Sequence, residues 1–190
     1  MAKLILASAS PQRKTLLEQV GIIPDLILPA DIDESEKKGE AVLAYAKRMS
    51  YEKAKAIHDL HPEAYVIGAD TLVETRRIIL HKTEDEAEAR AFLAMLSGRR
   101  HRVITSVTVM APNGKSATRF VKTVVQYKRL SEAEINKFLA TEEWKGKAGA
   151  YSILGYAQRY VKFMSGSVSG VVGLPLYETC ALLEGLGFEC

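Results

Sequence analysis

The sequence predicts a mixed α/β fold for this chain of 190 residues. Segments with the periodicity of a strand alternate with segments with the periodicity of a helix, as in proteins whose helices pack on a sheet. Two strands also follow one another, because Val103–Met110 and Arg119–Tyr127 flank the turn Pro112-Asn-Gly114 and predict an antiparallel hairpin. Hydrophobic residues make up 47% of the chain and charged residues 26%, which is enough for a sizeable core in a single domain, residues 1–190.

The first element is a short apolar strand, Leu4–Leu6, that turns directly into a helix. Ser10 is the predicted N-cap, and Pro11 suits the first helical position because its missing N–H costs nothing there. Such a turn leaves backbone N–H groups unpaired and pointing at one spot, where the helix dipole adds a partial positive charge. The small residues Ser8 and Ser10 let a ligand approach this spot, and Arg13 lies in the first helical turn. This pattern predicts an anion site that best suits phosphate; the alternative is an ordinary capped helix whose arginine faces solvent.

A second strand is predicted over Ile22–Leu28, interrupted by Pro24, and an acidic segment and a long helix follow it. Asp31–Glu36 is typical of a solvated loop, although carboxylates beside a phosphate site are also suited to a divalent cation. The helix predicted over Gly39–His58 has an apolar stripe for burial that includes Tyr45. Lys53 within it is expected to face solvent, with its stem packed on the helix surface.

The second informative stretch is the strand predicted over Tyr65–Val73, in which Asp70 is set among apolar neighbours. A buried carboxylate is costly unless it is paired, protonated or bound to a metal. Gly68 and Ala69 keep the space beside Asp70 open, and perturbed carboxylates gather at functional sites. Asp70 is therefore the strongest candidate for chemistry; the alternative is a structural carboxylate satisfied by an arginine or by backbone N–H groups.

The middle of the chain adds two capped helices and a basic cluster. Thr83 with Glu86, and Ser131 with Glu134, each have the spacing of a capping box at a helix start. The cluster Arg99–Arg102 either binds anions or only charges the edge of a strand.

The C-terminal part is rich in small residues. Gly146–Gly155 contains glycines and one lysine but lacks the GxxxxGK[ST] spacing, so a P-loop nucleotidase is not indicated. Tyr160–Met164 reads as a strand, Ser165–Pro175 as a loop of small residues, and Pro175–Leu183 as the closing helix.

Composition and charge argue against several other classes of protein. A net charge of +3 is too small to argue for nucleic acid. Cys180 and Cys190 form no CxxC motif, so neither a disulfide scaffold nor a structural zinc site is indicated. No signal peptide or membrane-length apolar run is evident, which predicts a cytoplasmic protein.

Separated motifs along nearly the whole chain together resemble the Maf family of nucleoside triphosphate pyrophosphatases, the septum formation inhibitor Maf-like proteins. The motifs are Ser8-Ala-Ser-Pro-Gln-Arg13, Asp31-Ile-Asp-Glu34, Glu52-Lys53-Ala54, Gly68-Ala-Asp-Thr71, Lys82, Ser97-Gly-Arg99, Lys147-Ala-Gly-Ala-Tyr151 and Val172-Gly-Leu-Pro175. The resemblance implies an inosine-triphosphatase-like (Maf/Ham1) fold, with an elongated mixed sheet flanked by helices and a cleft between two lobes. It also implies hydrolysis of nucleoside triphosphates to monophosphate and pyrophosphate with a divalent cation, Mg²⁺ or Mn²⁺.

Further implications of the resemblance concern the cell. Family members are cytoplasmic and often dimeric, remove non-standard nucleotides and are associated with arrest of septum formation. A nucleoside triphosphate is then the partner, with neither a stable nucleic-acid complex nor a membrane expected.

The resemblance also assigns roles to residues. Asp70 matches the catalytic aspartate, which activates water and touches the metal, and Glu34 is the second metal-side carboxylate. The residues expected to hold the phosphates are Ser8, Ser10, Arg13, Lys53 and Lys82. Specificity falls to Gln12, Thr71 and Leu154: Thr71 agrees with the branch acting on dTTP and UTP, whereas Gln12 and Leu154 match neither that branch nor the 7-methyl-GTP branch. Base preference therefore stays open.

Two other functions remain open from the residues. One is a non-catalytic nucleotide- or nucleic-acid-binding module that uses Arg99–Arg102. The other is a phosphatase that releases orthophosphate instead of pyrophosphate.

Overall fold

The structure is a computed structural model that describes residues 2–189, and within them seven strands form one mixed sheet. The strands are β1 (Leu4–Leu6), β2 (Leu26–Ile27), β3 (Tyr65–Thr75), β4 (Ile78–Leu80), β5 (Arg100–Met110), β6 (Ser116–Tyr127) and β7 (Val161–Ser165). The order is β2-β1-β3-β5-β6-β7, with β4 paired to β3. β1 runs parallel to β2 and β3, whereas β4 and β7 are antiparallel to their neighbours. The predicted mixed α/β fold is confirmed.

Helices flank the sheet, and each one predicted from periodicity is present. They are α1 (Pro11–Gln19), α2 (Val42–His58), α3 (Glu86–Leu96), α4 (Glu132–Leu139), α5 (Val168–Val172) and α6 (Leu176–Gly185), with a 3₁₀ helix at Tyr156–Tyr160. None of the helices between residues 2 and 189 combines the length and the apolar character that a bilayer span requires.

The chain divides into two compact units. The first comprises residues 2–70, 105–121 and 173–189 of the described chain, and the second comprises 71–104 and 122–172. In the first unit, β1 pairs in parallel with strands on both of its sides and is buried along its whole length, which agrees with its uninterrupted apolar sequence. Ile5, Ala54 and Val66 pack together there and join α2 to the sheet.

The second unit has its own apolar core, in which α3 and α4 contribute Leu93, Leu96 and Phe138. The capping box predicted at Ser131 is confirmed, since Ser131 and Glu134 exchange both hydrogen bonds. The N-cap predicted at Thr83 is wrong.

Helix α3 begins after Asp85, whose carboxylate accepts from the Ala87 amide at 2.8 Å. Thr83 instead accepts from the Asp85 amide at 3.0 Å. Asp85 directly precedes the helix, and its negative charge is favourable at the positive end of the helix dipole.

Two other predictions need correction. The second strand, predicted over Ile22–Leu28, is only Leu26–Ile27, because Pro24 has no N–H for a sheet. The loop predicted over Ser165–Pro175 contains α5, and the Ser167 hydroxyl caps that helix by accepting from the Gly170 amide at 3.0 Å.

Candidate active site

The turn between β1 and α1 is organised by Arg13 and Ser8. The Arg13 guanidinium donates to the Ser8 hydroxyl oxygen at 2.9 Å and to the Gly173 carbonyl at 2.8 Å. The Ser8 oxygen also accepts from the Ser10 amide at 3.2 Å. A hydroxyl has two lone pairs and one proton, so Ser8 has both acceptor positions engaged and a donor left to offer a ligand.

Ser10 stands at the N-cap position, but its side chain does not cap the helix. Its hydroxyl donates to the Gln12 side-chain oxygen at 3.1 Å instead. The prediction of Ser10 as N-cap is therefore right in position and wrong in the side-chain bond. Because the Ser10 amide is bonded to Ser8, this amide is not among the unpaired N–H groups that a strand-to-helix turn was expected to offer.

Arg13 does not extend into solvent as the alternative interpretation required. Burial lowers the pKa of its guanidinium, while the negative charges of Asp70 and Glu34 act in the opposite direction and raise it. Arg13 therefore lies in the electrostatic field of both predicted metal-side carboxylates.

The centre of the first unit is an ion pair between Lys53 and Asp70. The ammonium nitrogen lies 2.7 Å from Asp70 Oδ1 and 3.0 Å from a Glu34 carboxylate oxygen. Lys53 and Asp70 are 7% and 6% exposed, so the expectation that Lys53 faces solvent is wrong. The lysine extends from α2 into a buried position where it can neutralise Asp70, because an isolated carboxylate would be costly there.

The second oxygen of Asp70 is the unusual atom of the site. Asp70 Oδ2 is buried and has no hydrogen-bond partner among residues 2–189. Buried polar atoms are nearly always bonded, so an orphaned carboxylate oxygen indicates a position for a ligand, water or cation. This supports a role for Asp70 beyond structure.

Helix α2 and strand β3 approach closely at this point. A side chain at Gly68 would overlap the Ser50 carbonyl and the Ala54 amide, so only glycine permits the contact. The Ser50 hydroxyl is in turn 2.9 Å from that of Ser106 on β5. These buried contacts place α2 where Lys53 reaches Asp70.

Three predicted residues belong to the second unit. Lys82 is exposed and pairs with Ala148 through backbone hydrogen bonds, Thr71 is half-buried in β3, and Leu154 is 60% exposed. The first unit brings the other predicted residues into one connected set: Ser8, Ser10, Gln12, Arg13, Glu34, Lys53 and Asp70.

The basic cluster Arg99–Arg102 is largely engaged within its own unit. Arg100 donates to Gln126 at 3.3 Å and lies 5.3 Å from the Phe163 ring centre. Arg102 is 3.7 Å from Glu74. These contacts engage Arg100 and Arg102 with protein groups, but the interpretation as a charged strand edge is wrong, because β5 lies between β3 and β6 in the sheet.

Two features of the site were not predicted. The Gly173 carbonyl accepts from Arg13, and the Tyr45 hydroxyl donates to the Glu34 carbonyl at 2.6 Å. Periodicity assigned Tyr45 to the buried stripe, which is correct, but periodicity reports burial and not the partner of a polar tip.

The sequence model of the family described as Maf-like protein matches residues 3–186. A dTTP/UTP pyrophosphatase from Paramagnetospirillum magneticum is 51% identical, with 99% of each chain covered. A dTTP/UTP pyrophosphatase from Zymomonas mobilis subsp. mobilis is 49% identical over 98% of this chain and 93% of its own. A nucleoside triphosphate pyrophosphatase from Anaplasma phagocytophilum is 48% identical over 97% and 96%.

A solved HAM1 protein from Coxiella burnetii is 15% identical, with a TM-score of 0.45 over 68% of this chain and 75% of that chain.

Proposed function

The chain belongs to the Maf-like protein family, and we propose that it hydrolyses nucleoside triphosphates at the α–β phosphoanhydride, with Asp70 as the base. The products are a nucleoside monophosphate and pyrophosphate. The observation that carries the role of Asp70 is its second carboxylate oxygen, Oδ2, which is buried without a partner in the described chain. A water bonded to this oxygen is oriented and can lose its proton to it.

Residues of the first unit can account for each step of the reaction. The water oxygen forms a bond to the α-phosphorus, and the bond from that phosphorus to the bridging oxygen breaks. Pyrophosphate leaves with the bonding electrons, while the water proton passes to Asp70 Oδ2. Arg13 and Lys53 stabilise the negative charge that builds up on the phosphate oxygens.

Lys53 has two tasks in this scheme. It forms ion pairs with Asp70 and Glu34, whose carboxylate oxygens lie 2.7 and 3.0 Å from its nitrogen. An ammonium carries three donors, so a phosphate oxygen can share the same lysine. The Ser8 hydroxyl donates a hydrogen bond to a phosphate oxygen. Ser10 and Lys82 are further proposed phosphate ligands.

A divalent cation, Mg²⁺ or Mn²⁺, fits the donor set of Asp70 and Glu34. Carboxylate oxygens suit hard cations, and Mg²⁺ in particular is often held by one or two carboxylates together with substrate phosphates. Residues 2–189 contain no group of three or more histidine, cysteine, aspartate or glutamate side chains placed to hold a metal ion. When bound, the cation neutralises phosphate charge and acts as a Lewis acid.

We further propose dTTP and UTP as the substrates. Relatives about 50% identical are named dTTP/UTP pyrophosphatases, and Thr71 agrees with the branch of the family that acts on dTTP and UTP. Gln12 and Leu154 are the residues at which the preference is set. The proposal includes a cytoplasmic location, a homodimer and the absence of a stable nucleic-acid complex.

The test is to incubate the purified chain with a panel of nucleoside triphosphates in Mg²⁺ or Mn²⁺ and to identify the products by anion-exchange chromatography. The panel contains dTTP, UTP, CTP, GTP and 7-methyl-GTP. We expect monophosphate and pyrophosphate in equal amounts, formed fastest from dTTP and UTP.

Each other outcome has a distinct meaning. Orthophosphate with a nucleoside diphosphate would indicate a phosphatase, and binding without products would indicate the non-catalytic module. Faster turnover of a purine nucleotide would contradict the proposed base preference only.

A further inference from the structure

Glu34 lies in a segment without helix or strand, yet its carboxylate is held close to a buried ion pair. We name residues 31–40 the Glu34 segment; the first regular element after it is α2. The Glu34 side chain is 48% exposed and its carboxylate is 3.0 Å from the Lys53 nitrogen. An exposed glutamate on irregular backbone loses considerable conformational entropy when it is fixed in one place. Other contacts must therefore hold the segment.

One contact comes from Tyr45 on α2. Its ring is buried, 4% exposed, and its hydroxyl donates to the Glu34 carbonyl at 2.6 Å. Burial, together with the negative charges of Asp70 and Glu34, raises the pKa of Tyr45 to about 12. The hydroxyl therefore keeps its proton and remains a donor at neutral pH.

A second contact flanks the first. Arg48, one turn further along α2, forms a bidentate pair with Glu40 at 2.6 and 2.7 Å. The same guanidinium donates to the Ser35 carbonyl at 2.9 Å. The planar guanidinium thus fixes the part of the segment that is C-terminal to Glu34. Glu34 itself is bonded by Tyr45 and not by Arg48.

We propose that Tyr45 is a positioning residue, whose hydroxyl fixes the backbone of Glu34 and so presents the Glu34 carboxylate to Lys53, Asp70 and the cation. This inference rests on the proposed function. Without the hydroxyl, Glu34 samples positions away from Lys53, so the carboxylate is less often in place when a cation binds. Tyr45 acts through the Glu34 backbone, to which its hydroxyl is bonded.

The test compares Tyr45→Phe, which removes only the hydroxyl, with Tyr51→Phe, a control on the same helix whose side chain is 41% exposed. The first readout needs no ligand: trypsin cleavage after Lys37 and Lys38, followed by mass spectrometry. A lost buried hydrogen bond corresponds to roughly a threefold to tenfold shift in a local equilibrium. We expect cleavage to accelerate by about that factor in Tyr45→Phe and to stay unchanged in Tyr51→Phe.

The second readout is the Mn²⁺ concentration that gives half-maximal pyrophosphate release. We expect it to rise by the same factor, roughly threefold to tenfold, with kcat at saturating Mn²⁺ changing less than about twofold. In a Glu34→Gln background the additional Tyr45→Phe change has no further effect on this concentration, because its target is already lost.

Unchanged trypsin cleavage in Tyr45→Phe would overturn the inference, as would faster cleavage with an unchanged Mn²⁺ requirement. An equal effect of Tyr45→Phe with and without Glu34→Gln would overturn it too. A wild-type chain that releases no pyrophosphate from any nucleotide would refute the proposed function instead. The trypsin rates would then still decide whether Tyr45 holds the segment.

Discussion

Each unit of the chain buries a polar cluster, and the two clusters differ in charge. The first unit holds Lys53 and Asp70 as an ion pair at 2.7 Å. The second unit holds His101, whose ring nitrogen is 2.8 Å from the Tyr151 hydroxyl and whose ring meets that of Tyr127 edge-on. Both clusters leave polar atoms without a partner in the described chain: Asp70 Oδ2, His101 Nδ1 and the Tyr127 hydroxyl.

The contrast shows two solutions to the same desolvation problem. Burial lowers the pKa of His101 to about 4 and raises the pKa of Tyr151, so this cluster is neutral at physiological pH. Lys53 and Asp70 instead compensate each other as an ion pair, with Glu34 beside them. Apolar residues often replace a buried ion pair without loss of stability, so stability alone does not explain the charged cluster. A role of these charged groups in catalysis explains the cluster better, because such groups gather at functional sites.

The largest expected effect comes from Asp70→Asn, which keeps the shape of the side chain and removes the base. General-base catalysis contributes about a hundredfold to ten-thousandfold, so we expect pyrophosphate release to fall by at least about a hundredfold. Asp59→Asn, which alters an exposed carboxylate paired with Lys55 on α2, is the control. Circular dichroism should show both variants folded, and turnover of Asp70→Asn near that of the control would remove Asp70 from its proposed role.

A smaller effect is expected from His101→Phe, measured as stability against pH. The folded-state pKa of His101 is about 4 and lies below the ordinary value of 6.5, so the unfolded chain binds the proton more tightly. The contribution of His101 to stability is hence complete above pH 6.5 and is lost as the pH falls toward 4. Relative to the variant, the wild-type free energy of unfolding should decrease by about 3 kcal/mol over this range.

Urea denaturation at several pH values checks this expectation. His61→Gln, a change at a partly exposed histidine, should follow the wild type. If the free energy of unfolding varied with pH in the same way for wild type and His101→Phe, the pKa of His101 would not differ between the folded and unfolded states.

The smallest expected effect is that of Gly68→Ala, which breaks the close approach of α2 to β3. The added methyl meets backbone atoms of Ser50 and Ala54, and overpacking of this kind costs about 2 kcal/mol. Gly185→Ala is the matched control because a methyl there meets nothing within 4 Å. We expect a lower thermal midpoint and about tenfold slower turnover for Gly68→Ala alone. Equal thermal midpoints for the two variants would mean that α2 accommodates the methyl group at residue 68 without loss of stability.

The features that sequence reasoning predicted well depend on local signals. The apolar run Leu4–Leu6, the capping box at Ser131 and the carboxylate set among apolar residues at Asp70 each reveal themselves within a few positions. Thr83 shows the limit even of local signals, since it competes with Asp85 two residues later for the same helix start.

The features that were missed depend on contacts between distant parts of the chain. Lys53 looked like a surface lysine because its partner, Asp70, lies on another element. The bond from Arg13 to Gly173 joins two ends of the chain, and that from Tyr45 to Glu34 joins a helix to a loop. Periodicity indicates which side chains are buried but not which atoms meet.

The most direct test is one assay that compares both buried clusters. Pyrophosphate release from dTTP is measured at pH 7.5 for wild type, Asp70→Asn and His101→Phe, with the folded fraction of each sample established by urea denaturation. The account predicts that Asp70→Asn loses at least about a hundredfold, while His101→Phe stays within about threefold of wild type for the same folded fraction. A fully folded Asp70→Asn variant with wild-type turnover would contradict it.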